Sequence, residues 1–254
     1  MAFGLIVIGD EILSGKRQDK HFAKVRELLA ARGLKLAWAL YLGDDRPRLT
    51  AALRQSFSGD DVVFSCGGIG ATPDDHTRQS AAAALGVPLV LHTGARDLIA
   101  QHMAEINQPL TPERLRMGEL PQGCELIPNP YNRIAGFSIQ RHHFVPGFPV
   151  MAWPMIEWVL DTHYRALFGT AAELERGMIV RGLNEGTLAP LMEAVEAAFP
   201  GIHVYSLPRI DPEQRFRYEI DLGVKGAAAL VELAFIRLQT GVLELGGEIL
   251  EVVN

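Results

Sequence analysis

The stretch Cys66-Gly67-Gly68-Ile69-Gly70-Ala71-Thr72-Pro73-Asp74-Asp75-His76-Thr77 follows a short apolar run, Val62 to Ser65, and precedes a segment with helical spacing. Glycines between a strand and a helix let the backbone approach an anion without a Cβ in the way, while the helix start directs N–H groups at it. Open α/β sheets bind ligands at that edge, the carboxyl ends of their strands. No Gly-Lys-Ser/Thr follows the glycines, and Pro73 stands where a dinucleotide fingerprint has its third glycine. The loop is therefore neither a Walker A nor a Rossmann motif. Past the glycines come Asp74 and Asp75. Carboxylates at a phosphate-facing helix start repel a bare phosphate, so the pair makes chemical sense with magnesium or another divalent cation between acid and phosphate. A glycine turn followed by an aspartate cap accounts for the same letters.

Outward from the loop, Phe3 to about Leu91 alternates short apolar runs with amphipathic stretches, the mark of a mostly parallel, covered sheet. The pattern predicts strands at Phe3 to Ile8, Leu36 to Leu42, Val62 to Ser65 and Leu89 to Leu91. Phe22, Val25, Leu28 and Leu29 share one helix face, and Leu49, Ala52, Leu53 and Phe57 another. Asp44 or Asp45 caps the second of these, with Pro47 in its first turn. Further helices are expected from about Asp75 to Leu85, from Ala95 to Ile106, after Thr111 and Pro112, and from Pro154 to Phe168. Strand-like runs at Glu125 to Ile127, Phe137 to Ile139 and His143 to Val145 flank loops rich in Pro, Gly and Asn, with His142-His143 read as a hairpin turn.

Gly169 to Glu173 has the small and polar residues of a connection, which divides the chain into domains at 1–168 and 174–254. The remainder reads strand, helix, strand, strand, helix, strand: Met178 to Arg181, Leu188 to Phe199, His203 to Leu207, Arg215 to Leu222, Ala227 to Leu238 and Leu243 to Val252. Strict alternation of Phe216, Tyr218, Ile220 and Leu222 with Arg215, Arg217, Glu219 and Asp221 belongs to a half-buried strand. This predicts a small α+β domain of split βαβ type beside the larger α/β domain.

Composition narrows the function classes. The chain has 254 residues, 48% hydrophobic and 21% charged, as ordinary folded domains have, which excludes disorder, collagen and coiled coil. A net charge of -6 argues against a surface devoted to nucleic acid or anionic lipid. Cys66 and Cys124 form no metal or disulfide pattern. The N-terminal run stops at Asp10 and Glu11 without a basic flank, and no apolar stretch approaches the roughly 18 residues of a membrane span. A cytoplasmic protein with a small-molecule ligand is the expectation.

Several blocks in order carry a family resemblance: Gly9-Asp10-Glu11-Ile12-Leu13-Ser14-Gly15, Gly43-Asp44, Gly67 to Asp75, Pro128-Asn129-Pro130 and Pro146-Gly147-Phe148-Pro149. Over about residues 3 to 168 they resemble the MoaB/Mog (molybdopterin-binding) domain. The match is closest to the N-terminal part of the CinA competence/damage-inducible family and to the corresponding domain of eukaryotic FAD synthases. The resemblance implies a three-layer α/β domain that binds a phosphorylated pterin (molybdopterin) or a nucleotide. It implies that Asp44 and Asp75 are catalytic, serving magnesium and nucleotide. Gly9, Asp10, Gly67, Gly68, Ile69, Gly70, Thr72, Asn129, Arg133, Gly136, Pro146 and Gly147 would contact the ligand, and Glu11, Asp74 and Asp75 the metal. The smaller domain is similar to the one that follows this module in CinA proteins, and the chain's end at Asn254 implies that their further nicotinamide-nucleotide deamidase domain is absent. Asn132-Arg133-Ile134-Ala135 and Val150-Met151 depart from the family's usual Gly-Thr-Ala-Pro and Ser-Glu, which bears on substrate choice.

Three functions follow: a pterin- or nucleotide-phosphate binder serving molybdenum-cofactor metabolism, a metal-dependent nucleotide pyrophosphatase acting on ADP-ribose or FAD, or a regulator without chemistry. Arg133 clamps a phosphate or forms a structural ion pair. Asp19-Lys20-His21 is a solvated helix start, or Lys20 or His21 reaches phosphate. The helix after Pro154 carries Trp153, Ile156, Trp158, Val159, Leu160, Tyr164 and Leu167 around more of its circumference than one buried face needs, which predicts a homo-oligomer.

Overall fold

Two mostly apolar runs, β1 (Phe3–Ile8) and β3 (Val62–Cys66), are buried at every residue and lie side by side in the middle of one sheet. They come from a computed structural model that describes residues 1–170, 174–210 and 218–253. The chain falls into two compact units, Met1–Ala171 and Ala172–Asn254.

The sheet of the first unit runs β2 (Leu36–Leu42), β1, β3, β8 (His142–Val145), β7 (Gly136–Ile139), β6 (Glu125–Ile127). The first four are parallel and the last two antiparallel. Successive residues of β1 alternate between two cores. Phe3, Leu5 and Val7 pack with Val25 and Leu29 of α2 (His21–Ala30) and with Met155, Ile156 and Val159 of α7 (Pro149–His163). Ile6 and Ile8 pack with Leu49 and Leu53 of α3 (Arg46–Phe57), Ala81 of α4 (Thr77–Leu85) and Ala95 of α5 (Thr93–Glu105). Helices on both faces make three layers, and each fully buried leucine such as Leu53 contributes about 2 kcal/mol by burial. β1 sits between β2 and β3, so the crossovers leave it in opposite directions, and the gap opens where β1 and β3 end.

Four local expectations change. Leu89–Leu91 (β4) stays outside the main sheet; partly exposed and three residues long, it pairs antiparallel with Glu119–Pro121 (β5). The helix expected from Asp75 begins at Thr77, because Asp75 N donates to Thr72 O and its carboxylate takes the Thr72 amide, closing a separate turn first. α7 starts at Pro149 rather than Pro154, since a proline at the first helical position forfeits no bond. His142 and His143 are strand residues; Gln140, with φ 53°, makes the turn. Two short helices, α1 (Asp10–Leu13) and α6 (Pro112–Leu115), complete the unit.

Much of the apolar surface of α7 packs within the unit, while Val150 stays exposed. Ile156, Val159 and Leu160 are buried, Trp153 lies under Lys24, and Tyr164 bonds His143, which leaves Trp158 exposed at 36%. Both cysteines are free and buried. Among the described residues, no helix is long and apolar enough to cross a membrane.

The second unit orders β9 (Leu174–Arg181), α8 (Glu185–Ala198), β10 (His203–Ile210), β11 (Tyr218–Gly226), α9 (Ala228–Glu244) and β12 (Glu248–Val253). Its all-antiparallel sheet runs β10-β11-β9-β12, a split βαβ arrangement. Ile220, Leu222 and Val224 of β11 are buried while Glu219 and Asp221 stay partly exposed, as alternation requires. Residues 215–217 of the expected strand lie outside the described residues.

Candidate functional site

Where β3 ends, Gly67 carries φ 113°, and a Cβ there would sit 2.2 Å from the Ile8 carbonyl oxygen. At Gly68, φ 67°, a Cβ would meet the Thr77 hydroxyl at 2.3 Å. Both positions demand glycine, because the loop turns back against β1 and against the first turn of α4. Buried Thr77 locks that approach: its hydroxyl donates to Gly67 O at 3.0 Å and its amide to Gly68 O at 3.0 Å. Arg78, 2% exposed, reaches beneath the loop and donates to the carbonyls of Gly70 (2.6 Å), Glu119 (2.9 Å) and Arg116. Burial holds its pKa below the ordinary guanidinium value, with Glu119 and Asp75 opposing.

The loop forms one side of a cavity of about 430 Å³. Of the residues expected at the site, Gly9, Glu11, Asp44, Gly67, Gly68, Ile69, Gly70, Thr72, Asp74, Asp75, Asn129, Pro146 and Gly147 line it. They come from the ends of β1, β2, β3 and β8 and from the loop after β6. Asn129 is buried and braced: its amide donates to Asn132 Oδ1 and Ile134 O, and its Oδ1 accepts from Tyr131 N.

Three expected residues are not on the wall. Asp10 supports it from behind, in a reciprocal clasp: Asp10 N donates to Asp44 Oδ2 (2.9 Å) and Asp44 N to Asp10 Oδ1 (3.2 Å). Arg133 pairs with Glu105 at 2.9 Å, its structural alternative. Gly136 is a packing glycine, since a Cβ would lie 2.4 Å from Phe144 O and 2.7 Å from Met155 Cε.

The cavity's acids do not form a ready-made metal cage. Among the described residues, no three His, Cys, Asp or Glu side chains could together hold a metal ion. One reason is Asp75, whose Oδ2 accepts from both the amide and the hydroxyl of Thr72. The acids still feel one another. Partial burial raises the Asp44 pKa against the hydrogen bond from Asp10 N, and the charges of Asp10, Glu11 and Asp74 raise it further.

The sequence did not single out Arg17 or Met117, which line the cavity beside Phe148 of the Pro146 to Pro149 block and beside Asn132 and Met151 of the segments that depart from the family pattern. Arg17 is the one cation among the lining residues, and it makes no ion pair or side-chain hydrogen bond with any described residue. Its only local signal is its place in Lys16-Arg17-Gln18, a segment that reads as surface.

A covered, mostly parallel sheet with a glycine loop, acids and a guanidinium at its switch point has the architecture of the α/β domains that hold ligands at the carboxyl ends of their strands. Residues 4–165 match the family described as "Probable molybdopterin binding domain", and the chain belongs to that family. It is 33% identical over 206 residues to a CinA-like protein of Syntrophotalea carbinolica, a match that covers 77% of this chain and 50% of that protein. A protein of Aeropyrum pernix is 28% identical over 256 residues, covering 97% of this chain and 96% of its own length. The crystal structure of the protein CinA from Thermoplasma acidophilum, whose function is described as unknown, resembles it with a TM-score of 0.57 at 26% identity. That likeness covers 63% of this chain and 98% of the other. The chain spans about half the length of the CinA-like relatives it matches.

Proposed function

We propose that the cavity binds a phosphorylated pterin of the molybdopterin type and serves molybdenum-cofactor metabolism. The observation that carries this reading is the pairing, on one cavity, of the Gly67-Gly68 turn at the sheet's switch point with the unpaired guanidinium of Arg17. Backbone N–H groups and Arg17 take the phosphate, while Met117, Phe148 and Met151 offer an apolar wall to a flat ring. Family membership supports the choice of pterin.

A second reading, hydrolysis of a nucleotide pyrophosphate such as ADP-ribose or FAD, is favoured by the raised pKa of Asp44. Uncompensated negative charge is what a divalent cation relieves, and magnesium commonly uses only one or two carboxylates, completing its shell with phosphate and water. One or two of Asp44, Asp74 and Glu11, which line the cavity, would meet that demand, with Asp75 on the same wall. Magnesium would supply polarisation of a phosphoryl oxygen. The chain's own residues orient the substrate: the glycine loop holds one phosphate, Arg17 neutralises another, and Asn129 fixes the neighbouring loop. Incubation with molybdopterin, ADP-ribose, FAD and NAD, with and without magnesium, separates the readings. Metal-independent retention of molybdopterin supports the first, magnesium-dependent products support the second, and neither binding nor products removes both.

A further inference from the structure

α9 is apolar on two opposite faces. Val231, Ala234, Phe235, Leu238 and Val242 are buried in the core of the second unit. On the far side Ala229, Leu233, Ile236, Thr240 and Leu243 are all exposed, the three large ones at 58%, 56% and 59%. Spacings of four, three, four and three residues put these five on one seam, at the a and d positions of a heptad, and no charge interrupts it. A surface helix ordinarily sets one apolar face against a charged opposite one. α8 of the same unit does so, with Glu193 and Glu196 exposed. The outer seam of α9 therefore has the pattern of a helix contact, which scattered exposed residues do not. Thr240 does not interrupt it, since its hydroxyl donates to Ile236 O at 2.9 Å and leaves no donor unpaired.

Charges flank the seam in a definite order. Glu232 and Gln239 occupy g positions on one side, Arg237 and Glu244 e positions on the other. Glu232 and Arg237 are both half exposed; Glu232 Oε1 lies 3.0 Å from Arg176 Nε, while Arg237 reaches Glu244 only at 4.0 Å. In two parallel helices related by a twofold axis, a g residue meets the e residue five positions further along the other helix. Glu232 then meets the partner's Arg237, and the twofold makes that attractive pair twice. An antiparallel pair matching the same seam sets Arg237 against the partner's Arg237, and these repel.

We propose that the outer face of α9 is a self-association surface on which a second copy of this chain lays its own α9 in parallel, with Leu233, Ile236 and Leu243 interlocking across the twofold. Five seam positions bury less than the roughly 800 Å² per partner of a standard interface, so the dimer is weak, with a dissociation constant on the order of 10 µM. The inference is independent of what the cavity of the first unit binds.

Sedimentation equilibrium of the full chain over a concentration series tests it. The wild type dimerises, and Ile236→Glu or Leu233→Lys raises the dissociation constant at least roughly tenfold without lowering the thermal unfolding midpoint, because both side chains are exposed. Glu232→Arg alone and Arg237→Glu alone each weaken the dimer, since each sets like charges opposite one another. An equimolar mixture of these two variants recovers dimers, because every cross-helix pair in the mixed dimer is again of opposite charge. A wild type that stays monomeric at roughly 200 µM assigns the seam to a helix of another protein and overturns the proposal. An assembly indifferent to Ile236→Glu overturns it as well, and so does a mixture of the two charge variants that remains as weak as either alone.

Discussion

Asp75 shows how much one carboxylate can hide. Its sequence position beside Asp74 reads as a helix cap, yet it closes a turn with Thr72 and points an oxygen at that residue's amide and hydroxyl. Asp75→Asn keeps an acceptor for the Thr72 amide while removing the charge. Stability, measured by urea unfolding, is expected to change by less than about 1 kcal/mol. Magnesium-dependent ligand binding, measured by calorimetry, is expected to fall at least roughly tenfold; binding like the wild type would remove Asp75 from the site. The glycines of the loop were legible because each answers a backbone demand visible in the letters themselves. Arg17 and Met117 were not, since only the tertiary fold brings them to the cavity and no local pattern marks them.

At the scale of the element, α4 anchors the loop through its first turn. Arg78→Ala would leave the carbonyls of Gly70, Arg116 and Glu119 without their donor, a loss expected to exceed about 3 kcal/mol in chemical denaturation. β8 makes a different prediction. Burial depresses the pKa of His142 to about 4 and of His143 to about 3, below the ordinary 6.5. In the unfolded chain both protonate near 6.5, so below that pH the unfolded state binds more protons and stability falls. The loss begins as pH drops through 6.5 and continues toward the folded values, by up to about 1.4 kcal/mol per pH unit for each histidine. Unfolding at pH 7 and pH 5 measures it, and equal stability at the two would contradict the buried, neutral placement. β1 and β3 were readable because strands covered on both faces are mostly apolar, and β4 was read at Leu89–Leu91; its place outside the main sheet and its partner β5 were not, since three residues carry too little pattern to name a partner. His142-His143 misled because paired polar letters after a loop resemble a turn, and two of their partners, Ser56 and Tyr164, lie far away in sequence.

For the molecule as a whole, every residue lining the main cavity belongs to the first unit. A chain shortened to residues 1–170 is therefore expected to keep ligand affinity within about threefold, since the contacts that set it are intact. Equilibrium binding of the shortened chain and of the separate second unit checks this, and affinity residing in the second unit would reverse the assignment. The two-part division was legible in the small, polar run at 169–173 and in the switch of pattern after it.

The brace behind the glycine loop has a consequence for how fast and how reversibly a ligand arrives. Thr77 and Arg78 hold the carbonyls of Gly67, Gly68 and Gly70 from within. The loop's conformation is thus fixed before any encounter. Binding to such a preorganised surface loses little chain entropy and waits on no rearrangement. Association should follow a single exponential whose rate rises linearly with ligand concentration, without the plateau that a slow loop closure would impose.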